Sequence, residues 1–120
     1  MVKREVLKIV NFLEDRLKEH GLHNARLIVF GSHATGQAHK GSDIDIAIVS
    51  DEFEGKDIFE RAKMTQDAEI LTVRTYRVPL DIVTLSTREY REGKSAIVEY
   101  VKEGAVIPSR SPPRSSPSSI

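Results

Sequence analysis

The sequence predicts a single α/β domain, and three observations carry that prediction. The chain opens on an amphipathic helical pattern, with Val6, Ile9, Val10, Leu13 and Leu17 at spacings of three and four. Short apolar runs of strand length follow at residues 27–30, 44–49 and 78–85, separated by stretches of helical or turn composition. With 120 residues, 39% of them hydrophobic, the chain can bury one core covering roughly two-thirds of its unfolded surface.

The first element spans residues 3–20, charged outward, and Gly21 ends it. Leu27, Ile28, Val29 and Phe30 form a continuous apolar run, expected of a central strand covered on both faces. A glycine-rich stretch then leads into residues 43–49, where Asp43, Ile44, Asp45 and Ile46 alternate before the run turns wholly apolar. After a turn at Glu54 and Gly55, residues 56–74 have helical composition, although Ile58, Phe59, Ala62, Met64 and Leu71 trace no narrow stripe. Residues 78–85 form a strand with Pro79 near its start, where a missing donor does least harm, and with Asp81 inside it. Ser86 and Glu89 have capping-box spacing, so a helix begins at Thr87 and runs, broken at Gly93, to Gly104. Residues 105–107 fit a short edge strand before Pro108. The low-complexity Ser, Pro and Arg tail at 108–120 cannot bury a core of its own, which leaves residues 1–107 as the domain.

Bulk charge narrows the function classes. Eighteen basic and eighteen acidic residues cancel, so no net field draws the domain onto a nucleic acid or an anionic membrane. Cysteine is absent, which removes disulfides and thiolate metal sites, so any metal must bind oxygen or imidazole. Glu5, Lys8, Glu14 and Asp15 interrupt the N-terminal segment too early for a signal-peptide core or a membrane span. A soluble, cytoplasmic protein is the expectation.

The chemistry concentrates in residues 31–45, GSHATGQAHKGSDID. A strand, a glycine turn and a short helix point backbone N–H groups at a phosphate; Gly31 permits close approach and Ser32 adds a hydroxyl. The stretch is neither a P-loop, whose lysine is missing, nor the dinucleotide fingerprint, since its glycines at 31, 36 and 41 are five apart. Gly36 and Gly41 read as turn residues with positive φ. On a strand, positions 43 and 45 share a face roughly 6.5 to 7 Å apart. An isolated acidic pair of this kind is usually a solvated turn. With Asp81 on a neighbouring strand, however, three like charges would repel and raise their pKa values unless a cation neutralised them. Hard oxygen donors select Mg²⁺, which also bridges nucleotide phosphates. Two such ions divide the work, one activating an attacking hydroxyl and the other steadying a pyrophosphate leaving group. Asp81 would complete the metal site and accept the hydroxyl proton.

Other candidates carry weaker signals. His20, His23, His33 and His39 lie on a helix end and in loops without a shared face; His33 alone has a place near the site, as a phosphate contact or proton carrier. Lys40, Arg74 and Arg77 could approach a nucleotide or acceptor, but read first as solvated charges, and Arg110 and Arg114 belong to the tail. Tyr90 and Tyr100 read as packing residues.

Gly31 and Ser32, then ten residues, then Asp43 and Asp45, with a later strand acid in PLDIV, resemble the minimal nucleotidyltransferases of the DNA polymerase beta superfamily over roughly residues 5–107. The resemblance implies a small mixed sheet flanked by helices. It implies a nucleoside triphosphate, ATP or another, with Mg²⁺ at Asp43, Asp45 and Asp81 and the terminal phosphates on Gly31 and Ser32. The implied reaction moves a nucleoside monophosphate, AMP where ATP is the donor, to an acceptor hydroxyl. Many such proteins resemble antitoxins paired with a helical HEPN partner. Family members often carry arginine just after the GS; here His33 and Thr35 stand in its region, and neither can grip a triphosphate bidentately. Two expectations follow: a transferase whose acceptor comes from a partner or a second subunit, and an antitoxin-like subunit that acts by binding with a vestigial site. Stand-alone RNA tailing is disfavoured by the neutral charge.

Overall fold

The computed structural model describes residues 2–39 and 41–109. Lys40, Arg110, Arg114 and the remainder of the tail from 110 lie outside the described residues. Helix α1 spans Arg4–Glu19 and buries Val6, Ile9, Val10, Leu13 and Leu17, the stripe its periodicity foretells. It stops where the Leu22 N–H donates to the Leu17 carbonyl, with Gly21 at φ 97° allowing the reversal.

Strand β1, Ala25–Phe30, is followed by the one-turn helix α2, Ser32–Thr35, and strand β2, Ile44–Ser50. A 3-10 turn at Asp51–Phe53 buries Phe53 completely. Helix α3 covers Ile58–Tyr76, strand β3 Leu80–Leu85, helices α4 and α5 Thr87–Glu92 and Ala96–Lys102, and strand β4 Ala105–Ile107. Extended Gly93 breaks the last helical stretch in two, and the capping box of Ser86 and Glu89 is fully formed.

The four strands make one mixed sheet in the order β3-β2-β1-β4. β1 pairs antiparallel with both β2 and β4, while β2 and β3 run parallel. The parallel pair requires a crossover, which α3 supplies. Alternation sorts the interior into two layers. Leu27, Val29, Ile44, Ile46 and Ile48 face α1 with Phe53 and Ala68. Ile28, Phe30, Ala47, Val49 and Leu85 face the opposite way, towards Val98 and Val101 of α5. β1 and β2 are therefore the doubly covered inner strands and β4 an edge.

Helix α3 explains its own lack of an apolar stripe. Its buried residues are Arg61, Thr65, Ala68 and Thr72, spaced four, three and four apart, so the inward face is polar or small. Thr65 and Thr72 satisfy their hydroxyls on the Arg61 and Ala68 carbonyls one turn back. Arg61 donates to the Lys56 and Thr84 carbonyls and to both Glu89 oxygens. Ile58 and Phe59 stay 71% and 75% exposed. The helix begins two residues later than its composition predicts, because Asp57 and Glu60 form a capping box there.

Candidate functional site

The site forms where β1 ends and β2 and β3 begin. Parallel register sets Asp45 directly opposite Asp81, and antiparallel register sets Asp45 opposite Phe30, the residue before Gly31. Ile44 and Ile46 on either side of Asp45 are buried against α1, which fixes the strand and turns the carboxylate to the other face. Asp43 precedes the strand, exposed at its mouth, so the alternation that places it beside Asp45 begins one residue before the hydrogen-bonded ladder.

Asp45 and Asp81 face each other across the parallel pair, close enough for each carboxylate to feel the other's charge. The Asp45 carboxyl titrates above its ordinary value: burial is the largest cause, followed by the charge and close approach of Asp81 and by the Asp43 charge, with His33 opposing. A fourth acid joins from α3. Glu69, half-buried, is also pushed up, first by burial and then by the charge of Asp81. No local signal in the sequence marks Glu69, because the inward face of α3 carries polar or small residues in place of an apolar stripe.

Gly31 covers this pair from the β1 side. It is buried, with φ 72° and ψ −150°, a conformation open to glycine alone. A Cβ at this position would overlap the Asp45 carboxylate. Beyond it, Ser32 opens α2, whose first N–H groups have no partner within the helix. His33, half-buried, is hydrogen-bonded through Nε2 to the Ser42 carbonyl, so it ties the glycine turn to the loop carrying Asp43. The Ser42 hydroxyl accepts in turn from the His39 N–H. Gly36 and Gly41 have φ of 82° and 89°, the turn conformations expected of them.

The structure thus brings Gly31, Ser32, His33, Asp45 and Asp81 to one end of the sheet, with Asp43 at the mouth. Arg74 and Arg77 line a cavity of about 750 Å³ with Val73 and Pro79 at the end of α3, and Arg77 also lines one of about 480 Å³ shared with His33, Ser42 and Ile44. The residues at the site fit a hard divalent cation in donor chemistry, since Asp43, Asp45 and Asp81 all offer carboxylate oxygens and a cation would relieve the crowding of charge that raises the Asp45 pKa. Among the described residues, no three such side chains converge tightly enough to cage an ion as they stand.

A glycine turn leaving one strand of a small mixed sheet, with acids side by side on the next two, is the architecture of the nucleotidyltransferase fold. The model of the nucleotidyltransferase domain matches residues 6–107, and the chain belongs to that family. Among solved structures, a protein from Sulfolobus solfataricus described as a nucleotidyltransferase superposes with a TM-score of 0.63 at 22% identity, covering 88% of this chain and 82% of the other. A protein described as a minimal nucleotidyltransferase gives 0.50 at 28% identity, over 87% and 93%. A toxin–antitoxin structure with AMP-PNP gives 0.55 at 20% identity, over 82% and 73%. A comparison with curated proteins gave no match. The mixed sheet flanked by helices and the resemblance to minimal nucleotidyltransferases stand as the sequence predicts them. No helix among the described residues is long and apolar enough to cross a membrane.

Proposed function

We propose that this chain transfers a nucleoside monophosphate, AMP from ATP, to a hydroxyl on a macromolecular partner. The observation that carries the reading is the juxtaposition of Asp45 and Asp81 across the parallel pair, beneath a glycine whose missing Cβ leaves room for the carboxylate. Like charges held this close destabilise the fold, so their retention points to a cationic ligand.

In this reading Gly31 and Ser32 hold the terminal phosphates through backbone donors and a hydroxyl. His33 braces the turn against the Ser42 carbonyl and keeps the phosphate and carboxylate halves in register. The acceptor hydroxyl attacks the α-phosphorus, its proton passes to Asp81, and the bond to the departing pyrophosphate breaks. Asp43, Asp45 and Asp81 would hold Mg²⁺, as one ion or two, whose charge neutralises the phosphates and lowers the pKa of the hydroxyl. Residues 1–107 form the catalytic domain and 108–120 a tail outside it. The chain is soluble and cytoplasmic in this reading, and the acceptor comes from a helical HEPN-type partner or a second copy.

One observation favours a second reading. His33 occupies the place of the usual arginine, and its ring is engaged with the Ser42 carbonyl. An antitoxin-like subunit that neutralises its partner by binding, with weak turnover, needs no such grip. Incubation with labelled ATP, Mg²⁺ and a copurified partner separates the two. Label on the partner that disappears when Asp43 and Asp45 are both changed to Asn supports transfer; label that persists sinks the catalytic assignment, and no label with intact neutralisation supports the second reading.

A further inference from the structure

The face of the sheet that carries Asp45 also carries Phe30, whose buried ring meets a half-exposed tyrosine from α5. Phe30 stands opposite Asp45 in the β1–β2 register, and residues so paired project from the same face. Phe30 is buried, and Tyr100 on α5 packs against it edge-to-face, with ring centroids 5.4 Å apart and planes at 77°. In that arrangement Phe30 covers at most one face of the Tyr100 ring. Tyr100 is 47% exposed.

The helix that presents it is pinned. Val101 is fully buried, and Gly104 sits so close to the sheet that a Cβ would press on the Val29 carbonyl and Phe30 Cβ. Tyr100 is thus a rigid, half-open aromatic surface held on the order of 10 Å from Asp45, one cross-strand step plus one ring contact away. A nucleotide with its phosphates at Gly31 would extend its base over that distance.

We propose that Tyr100 is the platform on which the base of the nucleoside triphosphate stacks, and that the site prefers a purine. The inference rests on the proposed triphosphate site at Gly31 and Asp45. Stacking is tolerant of base identity because every base offers a π-face, so preference follows stacking area, which is larger for purines. Tyr100 is then a specificity-determining residue, apart from the carboxylates that act on the phosphates.

The test measures binding to the full chain by titration calorimetry in Mg²⁺, with ATP and with inorganic tripolyphosphate as a probe lacking the base. Wild type binds both, and takes ATP and GTP more tightly than CTP and UTP. Tyr100→Ala weakens ATP binding roughly tenfold, as expected when a base loses its stacking partner, leaves tripolyphosphate binding unchanged and levels the four nucleotides. Tyr100→Phe restores the wild-type pattern. Unchanged ATP affinity in Tyr100→Ala, with ATP binding still lost in Asp45→Asn, overturns the proposal and leaves the triphosphate site standing. An equal loss for ATP and tripolyphosphate in Tyr100→Ala also overturns it, since a damaged fold would do the same. Failure of wild type to bind either probe removes the triphosphate site and the proposal with it.

Discussion

Changing Gly31 to alanine tests the architecture of the site without touching a charge. Two costs add. The backbone at φ 72° and ψ −150° lies where a Cβ is strained, at about 1–3 kcal/mol. The new methyl also overlaps the Asp45 carboxylate and crowds its Cγ, so the side chain must leave its place between Gly31 and Asp81; overpacking of this kind costs about 1–3 kcal/mol. Together they remove about 2–6 kcal/mol from a fold whose net stability is of order 5–15 kcal/mol, a loss readily seen as a lower urea midpoint by far-UV circular dichroism. The two parts separate in a double-mutant cycle. Asp45→Ala vacates the space the methyl needs, so in its presence Gly31→Ala should cost only the backbone share, giving a coupling of about 1–3 kcal/mol. A Gly31→Ala protein within about 0.5 kcal/mol of wild type, the range of neutral surface changes, would refute the strain and the overlap together. Strict additivity with Asp45→Ala would refute the contact alone.

Other perturbations follow from the same contacts. Asp45→Asn should raise the melting temperature near neutral pH while abolishing transfer, because the folded state holds this carboxyl above its ordinary value of 3.8 and so loses stability as pH rises through that raised value; the advantage should vanish below 3.8, where both states are protonated. An Asp45→Asn protein less stable than wild type at neutral pH would show that the pair is not repulsive. Glu89 titrates the other way, held below its ordinary 4.5 first by its hydrogen bond to Arg61, so its contribution is present above 4.5 and drains as pH falls through the lowered value. Glu89→Gln should remove that part of the acid dependence and, by stranding an Arg61 only 8% exposed, cost about 1–2 kcal/mol, between an exposed and a buried pair. Phe53→Ala, at a site with no exposure, should cost about 3–5 kcal/mol in urea unfolding.

Much of this fold can be read before the structure is seen, and where it cannot, the reasons are physical. Residues 4–19 announce α1 because an apolar stripe with charges outside has one solution, and Ser86 with Glu89 announces α4 because the two side chains satisfy each other's backbone donors. Helix α3 withholds the same information, since Arg61, Thr65 and Thr72 face inward while Ile58 and Phe59 face out. Hydrophobic periodicity is silent when a helix buries hydrogen-bonded groups in place of apolar ones. Asp57 and Glu60 did mark where that helix begins, in the same code as Ser86 and Glu89.

The site divides in the same way between what is local and what is long-range. Gly31, Ser32, Asp43 and Asp45 stand in one stretch whose spacing is visible along the chain, and Asp81 is visible as an acid inside an apolar strand. That Asp45 and Asp81 face each other is a matter of register, which nothing in either strand states alone; it follows because Ile44, Ile46 and Ile82 must share the α1 face, leaving 45 and 81 on the other. The same constraint brings Phe30 alongside Asp45, and α5, closing over β1, delivers Tyr100 to a place that no spacing along the chain could indicate. A one-residue slip of β2 would bury the carboxylate against α1 and expose Ile44 and Ile46. The apolar core therefore enforces the register on which any chemistry at Asp45 depends, and variants that loosen that core should weaken nucleotide binding before they unfold the chain.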